Sequence, residues 1–254
     1  MPNAHHVAHH TLASRAETRH AVPVSRGLHR FLKIGDAATT ASMSWLTEWM
    51  ARRHGGMAIA YEKFTTAMEQ AGVAAIRARL AADLTGDVIE VGCGTGLNFP
   101  HYSAQATVTA IEPLADFRRF AAARAAAVPA RVTVCEGDAQ ALPFRDHSFD
   151  AALQTLVFCS LPDAGAGLSE LRRVLRPGAP VRFFEHVRSP HVIGALLQDL
   201  ANPLWRRVMD GCNLNRDTLP TIRAAGFAIE RVQEHAIRAP RTPRFPLREV
   251  HARA

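Results

Sequence analysis

A chain of 254 residues, 48% of them apolar, has material for one sizeable core with appendages rather than several domains. Four scattered cysteines, Cys93, Cys135, Cys159 and Cys212, lack any C-x-x-C spacing, which argues against a disulfide scaffold or a zinc ribbon and for reduced thiols in the cytoplasm. The net charge of +7 sits at the ends, +4 in residues 1–34 and +4 in 236–254, leaving about −1 between them, so no basic groove for nucleic acid is expected.

No window approaches 18 uninterrupted apolar residues and the start has no apolar signal block, so no transmembrane segment is expected. Residues 1–40 read as a flexible tail. His5, His6, His9 and His10 have no carboxylate or cysteine beside them, so no metal site is expected there. The Arg-rich start also resembles a transit peptide, but Arg exceeds Lys throughout, and we read it as composition. The remainder, 41–254, is expected to be one domain that begins with helices over 41–86. WLTEWM puts Trp45, Leu46, Trp49 and Met50 on one helical face, suited to packing on its own domain or to peripheral contact with a membrane surface. After Gly55-Gly56, Phe64, Met68, Ile76, Leu80 and Leu84 recur at multiples of four and predict one long amphipathic helix.

From residue 87 the period changes. DVIEVG, TVTAIEP, RVTVCEGD, FDAALQTLVF and PVRFFEHV are β-type runs; between them lie a helix to about Ala104, DFRRFAAARAAA and DAGAGLSELRRVL. Such alternation predicts an α/β, doubly wound parallel sheet with its core in 87–188, and ligands beyond the carboxyl ends of its strands. The first strand ends in Glu90-Val91-Gly92-Cys93-Gly94-Thr95-Gly96. Leu97 stands where a dinucleotide fingerprint needs glycine, and no Gly-Lys-Ser/Thr follows, so neither a nicotinamide site nor a P-loop fits. A carboxylate two residues before the first glycine repels phosphate and suits a cationic ligand end. Glu112, 20 positions after Gly92, is placed to accept the hydroxyls of a ribose, and Asp138 an adenine amino group, with Ala139 offering a backbone N–H.

Residues 190–220 form an insertion where an acceptor pocket is expected. HVIGALLQDLANPLWRRVM reads as an apolar helical segment broken at Pro203. DGCNLNRDT then leads into a helix capped by Asn215 or Asp217, with Pro220 in its first turn; capping and turn chemistry alone would also account for Asp210, Gly211, Asn213 and Asn215. His186 follows the fifth strand and is placed either to accept a proton or to hold a loop through its ring.

VIEVGCGTG, AIEP, GDAQALPF, SFDAALQTLVF and ELRRVLRPGAPV, in that order, resemble the class I S-adenosylmethionine-dependent methyltransferases, in particular the small-molecule type-11 group, over roughly residues 60–190. The resemblance implies a Rossmann-like seven-stranded sheet with an antiparallel edge formed by AGFAIERVQEHAI and the final residues, N-terminal helices over the cofactor, and S-adenosyl-L-methionine as that cofactor. It places Glu90, Gly92, Cys93, Gly94, Gly96 and Asn98 near the methionine end, and Glu112 with Pro113 on the ribose. Asp138 and Ala139 fall on the adenine, while Thr155 and Cys159 complete the site. Tyr61 either caps the cofactor or is a half-buried structural residue.

TLVFCS, FFEHV and LWRRVMDGCNLNRDT are similar, more narrowly, to the alkyl-thiol methyltransferases of the methyltransferase-like group, membrane-anchored in animals and with bacterial relatives. This implies Asp210, Cys212, Asn213 and Arg216 at the acceptor. Two departures stand out: no N-terminal hydrophobic anchor is expected from this sequence, and Glu112 replaces the usual Asp. The expected activity is methyl transfer to a small apolar acceptor, best a thiol. The alternatives are O-, N- or C-methylation of a phenol, quinone precursor or lipid amine, or a non-catalytic cofactor-binding protein.

Overall fold

A computed structural model describes residues 57–209, 211–239 and 244–254. The tail over 1–40, the helix at 45–50 and Asp210 lie outside the described residues. In chain order the elements are α1 (Met57–Met68), α2 (Ala74–Ala81), β1 (Gly86–Val91), β2 (Ala106–Ile111), α3 (Ala115–Ala125), β3 (Arg131–Cys135), β4 (Ala151–Thr155), α4 (Ala164–Val174), β5 (Pro180–His186), α5 (Val192–Val208), α6 (Leu219–Ala224), β6 (Ala228–Ile237) and β7 (Phe245–Arg253). Seven strands make one sheet in the order β3-β2-β1-β4-β5-β7-β6. β1 to β5 are parallel, and β7 runs antiparallel between β5 and β6. The α/β doubly wound sheet and its antiparallel edge match the expectation.

The strands are short and apolar because both sheet faces are covered. Alternation assigns the side chains: Ile89, Val91, Val181 and Phe183 point into one core with Leu168 and Leu171 of α4 and Ile222 of α6. Val88, Leu153 and Phe184 point into the other, with Leu80, Leu84 and Phe99. The order reverses at β1, between β2 and β4, which opens a crevice at the carboxyl ends. Val91, Ile111, Cys135, Thr155 and His186 end their strands on that side.

Four local expectations differ from the structure. The long first helix is two helices joined by a wide π turn, Glu69–Val73, in which Gly72 takes φ 125°, a conformation open to glycine. No helix follows β1; glycines at positive φ lead into a single 3-10 turn, Phe99–His101, which ends where Tyr102 becomes extended at ψ 143°. β4 stops at Thr155 because Leu156 turns to φ 62°. Pro203 does not break α5, which runs unbroken through it; Pro203 and Asp199, four residues before it, are both exposed. Of the two candidate caps for α6, Asp217 accepts the Leu219 N–H at 3.2 Å, and Asn215 instead donates to Asp199. Pro220 sits in the first turn as expected.

Phe184 is fully buried under α2 and meets His235 edge-on at 6.0 Å. Phe184→Ala is expected to cost about 3–5 kcal/mol in urea denaturation. A loss below about 1 kcal/mol would mean that this half of the core is loosely packed.

Candidate active site

The turn after β1 is shaped by three glycines with positive φ, Gly92 at 65°, Gly94 at 58° and Gly96 at 82°. A Cβ on Gly92 would meet Val157 at 2.7 Å, and one on Gly96 the Phe99 ring at 2.5 Å, so those two fix the packing of the turn. Gly94 differs: its nearest neighbour would be Phe117 at 3.8 Å. Its backbone faces open space, where a ligand can come close. Cys93 between them is buried, its N–H bonded to Ile111 and its thiol pushed far up by burial, so it is no nucleophile.

Glu112 comes from the end of β2 and accepts the N–H groups of Gly94 and Leu114, each at 3.0 Å. Its carboxylate therefore lies against the open glycine. Pro113 gives its carbonyl to Arg118 at 2.6 Å. Beyond β3, exposed Asp138 accepts the Gln140 N–H at 2.9 Å, and buried Ala139 follows it. These residues lie at neighbouring strand ends, as the sequence places them. The side-chain carboxylates of Glu112 and Asp138 suit hydroxyl and amino donors.

Glu90 does not face the crevice. It is 1% exposed and accepts Asn98 Nδ2–H at 2.9 Å and the Tyr102 hydroxyl at 2.7 Å. Asn98 also donates to Thr155 Oγ1 at 3.0 Å. Into this cluster reaches Arg77 of α2, 3% exposed, bonded to Asn98 Oδ1 at 3.0 Å, Thr155 Oγ1 at 2.6 Å and Glu69 at 3.0 Å. Sequence reading missed Arg77; its signal was an arginine between Ile76 and Leu80, inside the apolar stripe of a helix. Arg124 was missed too. It clamps α1 to the turn through the Thr95 carbonyl at 2.5 Å and Glu62 at 2.8 Å.

Beside the loop after β4 lies a cavity of about 150 Å³. Tyr61, Met68, Leu156, Cys159, His186, Trp205, Met209, Cys212 and Phe245 are among its walls. Tyr61 leans on Phe117 with ring centroids 5.3 Å apart, and burial raises its phenol. Cys212 and Cys159 lie with sulfurs 3.7 Å apart. The contact with Cys159 holds the Cys212 thiol below the ordinary range, and the His186 ring and Trp205 indole act in the same direction against the cost of burial. Cys159, the other member, is pushed up by that same contact and by burial. His186 is buried against Phe245, and neither ring nitrogen has a hydrogen bond of normal length.

Asn213 and Arg216 do not point at the cavity as binding groups. Asn213 donates its side-chain amide to the Cys159 carbonyl at 2.9 Å, and Arg216 bonds the carbonyls of Phe158 and Leu161, both at 2.6 Å. They fasten the loop after α5 to the loop after β4, which corrects their expected role as acceptor contacts. That second loop has an anchor the sequence reading also passed over. Glu185, fully buried in β5, accepts the N–H groups of Val157 and Phe158 at 3.2 Å and of Cys159 at 3.1 Å. Its signal was a glutamate in an otherwise apolar strand, FFEHV.

Burial raises the Glu90 carboxyl to about 7, with the Tyr102 and Asn98 bonds opposing. The unfolded chain loses this proton near pH 4.5, so between about 4.5 and 7 the folded state alone keeps it and stability falls as pH rises. The expected fall is on the order of 3 kcal/mol. Glu185, raised to about 7 by burial, adds a similar slope. Glu90→Gln should therefore remove about half of the stability lost between pH 5 and pH 8, measured by urea denaturation at both values. An unchanged slope would show Glu90 ionised throughout.

Residues 89–183 match the family model described as a methyltransferase domain. Thiol S-methyltransferase TMT1B from Rattus norvegicus is 36% identical over 146 residues, covering 56% of this chain and 59% of that protein. Thiol S-methyltransferase TMT1A from Homo sapiens is 35% identical over 158 residues, covering 60% of this chain and 64% of that one. The chain thus spans about three fifths of the curated relatives it matches. Among solved structures, a putative methyltransferase from Bacillus halodurans aligns with a TM-score of 0.60 and 17% identity over 71% of this chain and 97% of the other.

Proposed function

We propose that this chain, whose residues 89–183 are a methyltransferase domain on the fold of the S-adenosylmethionine-dependent methyltransferases, moves a methyl group from that cofactor to a small apolar thiol. The observation that carries the reading is the cavity walled by Tyr61, Leu156, Met209 and Phe245 on its apolar side and by Cys159, Cys212 and His186 on the other. It adjoins strand ends whose residues fit an adenosine bearing a cationic tail. The open Gly94 leaves room that a Cβ would take. Glu112 beside it would hold the ribose hydroxyls, and Asp138 with the Ala139 N–H the adenine. Glu90 stays behind the turn and sets its shape.

S-adenosylmethionine, when bound, supplies a methyl group on a positively charged sulfur, so the leaving group is already good. What remains for the protein is alignment, the exclusion of water and the handling of one proton. A thiol has a pKa near ~8.5 and needs little help to ionise. A sulfur ligand entering the cavity meets the His186 ring, which can take its proton. The apolar wall favours a short hydrocarbon body over a charged one. A reducing cytoplasmic setting suits this, since Cys159 and Cys212 stand 3.7 Å apart as free thiols. Among the described residues no helix is long and apolar enough to cross a membrane. The thiol S-methyltransferase relatives support the choice of sulfur.

Glu112→Ala is expected to weaken S-adenosylmethionine binding at least tenfold by calorimetry, about 1.4 kcal/mol. Unchanged affinity would remove Glu112 from the ribose. In a radiolabelled methyl-transfer screen, simple alkyl thiols should outpace phenols and amines, and faster labelling of a phenol or amine would overturn the acceptor. His186→Gln should slow a phenol far more than a thiol if the ring takes the proton; equal slowing would make His186 structural.

A further inference from the structure

Helix α5 faces two media. Ala195 and Gln198 are buried on its inner side, and Trp205 with Met209, at its carboxyl end, walls the cavity. On its outer side Val192, Ile193, Leu196, Leu197, Leu200 and Leu204 are 54–81% exposed. At 3.6 residues per turn these six fall within an arc of about 140°, one continuous aliphatic stripe. A stripe of that size is rarely left to water.

We infer that this face of α5 docks on an anionic lipid surface. The choice of lipid over protein rests on charge. Arg207 falls inside the same arc just beyond Leu204, and Arg206 lies at its margin; both are exposed, and no carboxylate among the described residues pairs with them. The acid on the outer side, Asp199, is taken up by both guanidinium nitrogens of Arg188 and by Asn215. An aliphatic stripe with arginines at one end and, among the described residues, no free acid matches acyl chains beneath anionic headgroups, because long basic side chains reach outward while their stems stay apolar. A second copy of the chain fits less well. Two such helices packed antiparallel set Arg206 and Arg207 against His191 and Val192, where no carboxylate waits. Docking would also bring the cavity end of α5 close to the lipid, where apolar acceptors concentrate. The docking itself does not depend on the proposed acceptor.

The test is sedimentation of the full chain with phosphatidylcholine vesicles, with and without phosphatidylglycerol. The wild type should sediment with the anionic vesicles and come off in high salt. Leu196→Gln with Leu200→Gln, both at exposed positions, should reduce the bound fraction at least tenfold without lowering the melting temperature. Arg206→Gln with Arg207→Gln should reduce the preference for anionic vesicles about tenfold. Absence of wild-type binding, or binding untouched by the leucine pair, overturns the inference. So does a dimer in sedimentation equilibrium that dissociates in the leucine variant, which would give the face to a second copy. No readout involves methyl transfer, so a wrong acceptor and a wrong surface give different results.

Discussion

The guanidinium of Arg77, buried behind the glycine turn, is the constraint around which the site is arranged. A charge that is 3% exposed is costly unless its hydrogens are met. Here Glu69 supplies the countercharge, and Asn98 and Thr155 supply neutral oxygens. Eight residues of straight helix would separate Glu69 from Arg77 by about 12 Å along the axis. The π turn and Gly72 lie between them, and the bend lets the two side chains meet at 3.0 Å. The distortion of the helix and the burial of the charge are thus one device. Through it α2 is tied to the ends of β1 and β4, and Asn98 carries the tie on to Glu90 and Tyr102.

The parallel sheet and the ligand end of the fold could be read from the sequence because they rest on local rules. Alternating periods announced β1 to β5, and the glycine run with Glu112 and Asp138 marked three adjacent strand ends. What the sequence hid was set by contacts between distant residues. Arg77 went unremarked in the sequence because its partners lie 21 and 78 positions away. Glu90 was read as a ligand group because its spacing suited a cation; in the structure it is 1% exposed and bonded to Tyr102 and Asn98. Pro203 was read as a break because proline usually is one, but it lies on an exposed side of the helix, where the Asp199 position that loses its bond is exposed as well.

The loop after α5 shows the same division more sharply. DGCNLNRDT was noticed as a unit, yet its members do different things. Cys212 reaches the cavity, whereas Asn213 and Arg216 bind carbonyls of the loop after β4. From the other side Glu185 gathers three N–H groups of the same loop. Donors and acceptors of one short loop are thus held from two elements, and this fixes Cys159 beside Cys212 and supports Leu156 in its left-handed conformation. A loop so held is a rigid wall rather than a lid.

β7 enters the sheet between β5 and β6, and from this follows an order of assembly. The free edge of β5 waits for residues 245–253, some sixty positions later in the chain. Until then β5 is an edge strand, and Phe183 and Phe184 border its open side. Such an edge is a template for foreign strands. Pairings of long sequence separation are also slow to form, because loop closure precedes their reward. The vulnerable species during folding is therefore the five-stranded parallel part, and the last hairpin is what covers its β5 edge.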